Sequence, residues 1–118
     1  IDHYMTKAQE ENKPVILDFY ADWCASCVEM DKKVLSQAGV REELSNFMTL
    51  RVDVTKNSVA DREIMQRFNI VAPPTLLFFN NSGKEVDTRR IVGELNVNEF
   101  TSRIQSFVTA SCATKISC

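Results

Sequence analysis

The chain has 118 residues, 44% of them hydrophobic and 25% charged, with a formal net charge of −2. That length gives one domain with room for a real core, and the near-neutral balance offers no basic field for nucleic acid or an anionic membrane surface. Apolar runs no longer than the likes of "LLFF" fall far short of the roughly 18–20 residues that cross a bilayer, and no cationic stretch leading into an apolar run marks a signal peptide at the start.

The opening "DHYMTKAQEENK" predicts a short amphipathic helix with Tyr4, Met5 and Ala8 on one side. Pro14 ends it, and "VILDFYA" follows as an apolar run that predicts a strand covered on both faces. From Cys24 to about Gln37 the pattern is helical, with Val28, Val34 and Leu35 apolar and Glu29, Asp31, Lys32 and Lys33 charged. Gly39 interrupts, and "VREELSNF" adds a further helical turn or two. "MTLRVDV" alternates as a second strand, and Ser58 with Asp61 resembles an N-cap for the helix "VADREIMQRF". "TLLFFN" predicts a third strand, "NNSGK" a turn, and "EVDTRRIV" a strand pairing back antiparallel. After Gly93, Asn96 with Glu99 opens a last helix whose apolar side is Val97, Phe100, Ile104, Phe107 and Val108.

Parallel strands joined through helices, followed by an antiparallel hairpin, imply an α/β domain: a central mixed sheet of about four strands with helices on both faces. The domain is expected over residues 1–109, with 110–118 a loose polar tail.

The chemistry concentrates in "DFYADWCASCVEMD", residues 18–31. Cys24 follows a strand and begins a helix, and Cys27 lies one turn in, close enough to bridge. A sulfur at that point faces unpaired backbone N–H groups and the positive end of the helix dipole, which favour the thiolate. The thiolate is the species that attacks a disulfide, and Cys27 can then resolve the mixed disulfide. Two other readings stand beside this one. A structural disulfide closing so short a loop would stabilise little. A zinc site needs four ligands, and Cys112 and Cys118 are spaced unlike a second knuckle. His3, the only histidine, is expected at the surface, so no metal and no cofactor beyond the Cys24–Cys27 pair is expected.

"DFYADWCASC", then "APPT" some fifty residues later and "IVG" near the end, resemble a thioredoxin-like domain over nearly the whole chain. "YADWC", the acid four places after Cys27, and "VDVT" are most similar to the C-terminal periplasmic domain of the DsbD thiol:disulfide interchange family. The resemblance implies a protein-disulfide reductase domain with Cys24 as nucleophile and Cys27 as buried resolving thiol. It makes Pro74, before Thr75, the cis-proline facing the disulfide, and Trp23, Pro74 and Thr75 the docking surface. Pro73 is a departure, because it removes a backbone N–H beside that site. The implied setting is the periplasm, as a soluble, monomeric domain of an inner-membrane protein. The implied partners are protein thiols and disulfides, chiefly a membrane-embedded donor domain and an N-terminal acceptor domain of the same parent, with a role in cytochrome c-type biogenesis. A free-standing thioredoxin is the nearest rival, against which Ala25-Ser26 stands where Gly-Pro is usual. A binding module with structural or zinc-bound cysteines is the rival of another class.

The resemblance also matches Asp18 and Asp31 to an acidic pair that tunes the thiol. A helix start favours the thiolate by about 0.3–2 kcal/mol. One carboxylate about 6 Å away opposes it by roughly 2.8 kcal/mol at an effective dielectric near 20. Repulsion wins, so Cys24 is expected to be less acidic than in strong oxidants, with a potential between about −180 and −270 mV.

Overall fold

The computed structural model describes the backbone of residues 1–114 and the side chains of residues 1–108. Helix α1 (Asp2–Glu10) leads into strand β1 (Val15–Tyr20), which is followed by helix α2 (Ala25–Met30). Helix α3 (Ala38–Leu44), strand β2 (Met48–Asp53), helix α4 (Val59–Arg67) and strand β3 (Thr75–Phe79) follow, then strand β4 (Ile91–Val92) and helix α5 (Val97–Thr114). The sheet order is β2-β1-β3-β4, a thioredoxin-like arrangement with helices on both faces.

The run "VILDFY" is the second strand of this sheet and is buried on both faces, as its composition predicts. Val15, Leu17 and Phe19 pack with Ala8, Ile64, Met65 and Phe68 on the α1/α4 side. Ile16, between them in the strand alternation, packs with Met30, Val34, Val40, Phe47, Phe100, Ile104 and Phe107 on the other side. Ser58 and Asp61 form the expected reciprocal cap of α4. Asn96 and Glu99 do the same for α5, satisfying backbone donors that a helix start leaves unpaired.

Four details differ from the sequence expectations. β1 is parallel to β2, but β3 runs antiparallel to β1, with Thr75 opposite Phe19. The chain therefore enters β3 at the end where β1 finishes, and periodicity does not reveal to which end a connection returns. The strand expected over "EVDTRRIV" shrinks to Ile91–Val92, preceded by a 3-10 turn at Asp87–Arg89. There Arg89 and Arg90 donate to the Val86 and Asp87 carbonyls, and these local bonds replace ladder bonds. The helix begun at Ala25 widens into a π turn over Asp31–Leu35. α5 continues to Thr114, past Val108 where its apolar periodicity ends. The remainder of the expected tail, residues 115–118 with Cys118, lies outside the described residues, as does the side chain of Cys112. Among the described residues no helix is long and apolar enough to cross a membrane.

Candidate active site

Cys24 caps α2 in extended conformation (φ −88°, ψ 102°), and its Sγ accepts the Cys27 N–H at 3.1 Å. Cys24 and Cys27 are joined by a disulfide with Cα atoms 5.2 Å apart, within the ordinary range. Cys24 is 7% exposed and Cys27 2%, so both are buried and the residue at the helix start is the less deeply buried of the two. Among the described residues no group of three or more histidine, cysteine or acidic side chains is placed to hold a metal ion.

The turn that presents Cys24 is pinned by Thr55, two residues past the end of β2. The Asp22 N–H donates to Thr55 Oγ1 at 2.9 Å, and Trp23 Nε1 donates to the Thr55 carbonyl at 3.0 Å. Thr55 is fixed in turn by its own N–H to Asp53 Oδ1 at 2.9 Å, and its hydroxyl also donates to that oxygen. Trp23 is therefore tied by its indole nitrogen while 61% of the residue stays exposed; it does not fill the core. Thr55 is visible in "VDVT", but its anchoring role is not, because nothing in the sequence shows which loop lies across from it.

The Pro73–Pro74 bond is cis, the geometry the resemblance implies. Pro74 is buried, its carbonyl accepts the Gly93 N–H at 2.9 Å, and Gly93 holds φ +91° to deliver it. Thr75 is buried, and its hydroxyl donates to the Ala72 carbonyl at 2.8 Å. Its side chain is thus committed internally. Beside Trp23 a shallow depression of about 330 Å³ is lined by Val54, Asn57, Met65, Val71, Ala72 and Pro73. Trp23 and Val71, 95% exposed, give this face an apolar character.

The acid pair is brought together, though not as two bare charges. Asp18 is 6% exposed on β1. It stands opposite Arg51 of β2 in the parallel register, and Arg51 Nη2 donates to its Oδ2 at 3.0 Å. The same guanidinium grips Asp31 with both arms, Nη1 to Oδ2 at 3.0 Å and Nη2 to Oδ1 at 2.6 Å. It also lies over the Tyr20 ring, 4.2 Å from the centroid. Burial pushes the Asp18 carboxyl above its ordinary value and outweighs the pull of Arg51 in the other direction. The hydrogen bonds to Asp31 push the Arg51 guanidinium further up. Asp18 turns toward the face of Ile16 and lines a 180 Å³ crevice with Leu35, Leu44, Thr49, Leu76 and Phe100. The cysteines pack with the Leu17 and Phe19 side. Asp31 is linked to Cys27 through the helix, its N–H donating to the Cys27 carbonyl. Sequence reasoning missed Arg51. The signal was there, a cation at the fourth place of the second strand as Asp18 is at the fourth of the first.

Residues 1–107 match the thioredoxin-like domain family. The chain belongs to that family. Among curated relatives it is 42% identical over 90 residues to a thiol:disulfide interchange protein DsbD of Actinobacillus pleuropneumoniae and 37% over 99 residues to one of Yersinia pestis. These matches cover 76% and 84% of this chain but only 15% and 17% of those proteins. The reduced C-terminal domain of Neisseria meningitidis DsbD superposes with a TM-score of 0.77 at 28% identity. That match covers 89% of this chain and 91% of that one. As a thioredoxin-like domain with a bridged CxxC pair, the chain is a thiol–disulfide oxidoreductase domain.

Proposed function

We propose that this domain relays reducing equivalents between protein partners by dithiol–disulfide exchange, from a membrane-embedded donor to a periplasmic acceptor, both within the same longer parent protein. The observation that carries the reading is the bridge itself: Cys24, at the helix start, joined to the more deeply buried Cys27. In the reduced domain the Cys24 thiolate attacks one sulfur of the acceptor's disulfide. A Cys24–acceptor bond forms, and the acceptor's other sulfur leaves as a thiolate and takes a proton. Cys27 then loses its proton and attacks Cys24 Sγ, restoring the bridge seen here and releasing the second acceptor thiol. Two electrons and two protons have moved, and the sulfurs alone store them. A donor dithiol reverses the sequence.

The acceptor docks on the exposed face of Trp23 and Val71 beside Pro73 and Pro74. Because Pro73 carries no N–H, docking there relies on carbonyl acceptors and apolar contact. Thiol–disulfide interchange is supported by the names of the relatives, and further domains in a longer parent by the small share of their length that this chain spans. Trapping tests the reading. Cys27→Ala leaves Cys24 unable to be resolved, so covalent adducts with partner domains should accumulate in the native cell envelope. Recovery of none would count against the relay.

A further inference from the structure

Helix α4 ends in a left-handed turn at Asn69 (φ +55°). There the Asn69 N–H donates to the Gln66 carbonyl at 3.1 Å and the Ile70 N–H to the Met65 carbonyl at 2.8 Å. The Phe68 carbonyl at this helix end takes its donor from elsewhere in the chain, from Arg90 Nη2 at 2.8 Å. The same guanidinium is forked onto Glu85, Nε to Oε2 at 2.5 Å and Nη2 to Oε1 at 2.9 Å, across the 3-10 turn between the two residues. Both side chains are half-buried, and a bidentate guanidinium fixes direction as well as charge. Further along the same segment, the Gly93 N–H holds the Pro74 carbonyl at 2.9 Å. Residues 90–93 therefore grip the chain on both sides of residues 69–73, the stretch that brings Val71, Ala72 and Pro73 to the depression beside Trp23.

We propose that Arg90 is a positioning residue for partner docking: by holding the Phe68 carbonyl while Gly93 holds that of Pro74, it sets residues 69–73 against Trp23 in the shape an acceptor protein meets. This role rests on the reading that the face of Trp23 and Val71 receives the acceptor. One wall of the depression is already fixed, because the Trp23 indole is tied to the Thr55 carbonyl. Val71 in the other wall is 95% exposed, so packing does not hold it and its place depends on the anchors around it. Buried Ile70 and the Thr75 hydroxyl on the Ala72 carbonyl secure the middle and far end of the stretch. Arg90 secures the entry. A stretch ordered beforehand loses little freedom when a partner lands, whereas a loosened one loses it at that moment and binds more weakly. The sulfur chemistry is untouched in either case.

Arg90→Gln removes the fork. Adding Glu85→Gln to it leaves no half-buried carboxylate without its cation, and covers the case in which the single variant does not fold. Glu85→Gln alone loses the ion pair but keeps an acceptor oxygen beside Arg90, so the bond to Phe68 survives. In the Arg90 variants, the Asn69 and Ile70 amides should exchange hydrogen about tenfold faster by NMR, and in Glu85→Gln within about twofold of wild type. Single-turnover oxidation of the reduced domain by excess insulin, a probe protein disulfide, is followed by tryptophan emission. In the Arg90 variants the half-saturating insulin concentration should rise about fivefold, with the limiting rate and the midpoint potential in glutathione buffers kept. Val71→Asp, with Arg90 intact, places a charge on the face itself and should raise the half-saturating concentration too. Folded Arg90 variants whose Asn69 and Ile70 amides exchange as in wild type overturn the proposal. So does a half-saturating concentration that Val71→Asp raises and Arg90→Gln does not, or that Glu85→Gln raises equally. If Val71→Asp leaves it unchanged, the docking face itself is misassigned and the role of Arg90 falls with it.

Discussion

Asp18 is 6% exposed in the central strand, and taking a carboxylate out of water raises its proton affinity even with Arg51 in contact. The sign for stability follows from that direction. The folded state holds the Asp18 proton more tightly than the unfolded chain does. Its favourable contribution is therefore present below the ordinary carboxylate range, near pH 4, and is lost as pH rises through the higher folded midpoint. Asp18→Asn removes this dependence while Arg51 keeps its grip on Asp31. The variant should melt at least ~2 °C above wild type at pH 7, a gain that shrinks toward zero below pH 4. The same change takes a negative charge from the site and should lower the Cys24 thiolate midpoint by about one unit, read as ultraviolet absorbance against pH. A midpoint that does not move removes Asp18 from the tuning of the thiol.

At the scale of elements, the reactive turn depends on a strand that contributes no atom to the chemistry. Thr55, two residues past the end of β2, receives the Asp22 N–H on its hydroxyl and the Trp23 indole on its carbonyl. Thr55→Val deletes the hydroxyl acceptor and keeps the shape. It should cost about 1 kcal/mol of stability, shift the Trp23 fluorescence, and slow exchange with a partner while leaving the redox potential in place. Unchanged fluorescence and exchange would show the turn to be held by other means. This part of the site was hard to read in the sequence because it is made of contacts between segments 32 and 33 residues apart. The local features were legible: the Cys24 cap, the Ser58–Asp61 and Asn96–Glu99 reciprocal caps, and the doubly buried "VILDFY" each depend on a short window. What escaped was long-range or polar. The direction of β3 depends on where a loop returns, the 3-10 turn in "EVDTRRIV" on local carbonyl bonds, and the Arg51 clamp on the register of two strands.

For the whole molecule, the fold sets Cys24 at a helix start beside the exposed Trp23, runs an apolar depression from Trp23 to Pro73 of the cis-proline pair, and holds Asp18 and Asp31 together on Arg51. We propose that the helix start favours the Cys24 thiolate and that the two acids oppose it. A less stable thiolate makes the reduced form easier to oxidise, so the domain should act as an electron donor. The most direct measurement equilibrates the purified domain in glutathione buffers of graded ratio and reads the fraction of Cys24–Cys27 bridged, by mass or tryptophan emission. The account predicts a single two-electron transition between about −180 and −270 mV. A pair that will not interconvert in such buffers, or one poised near the −120 mV of a strong oxidant, would contradict it.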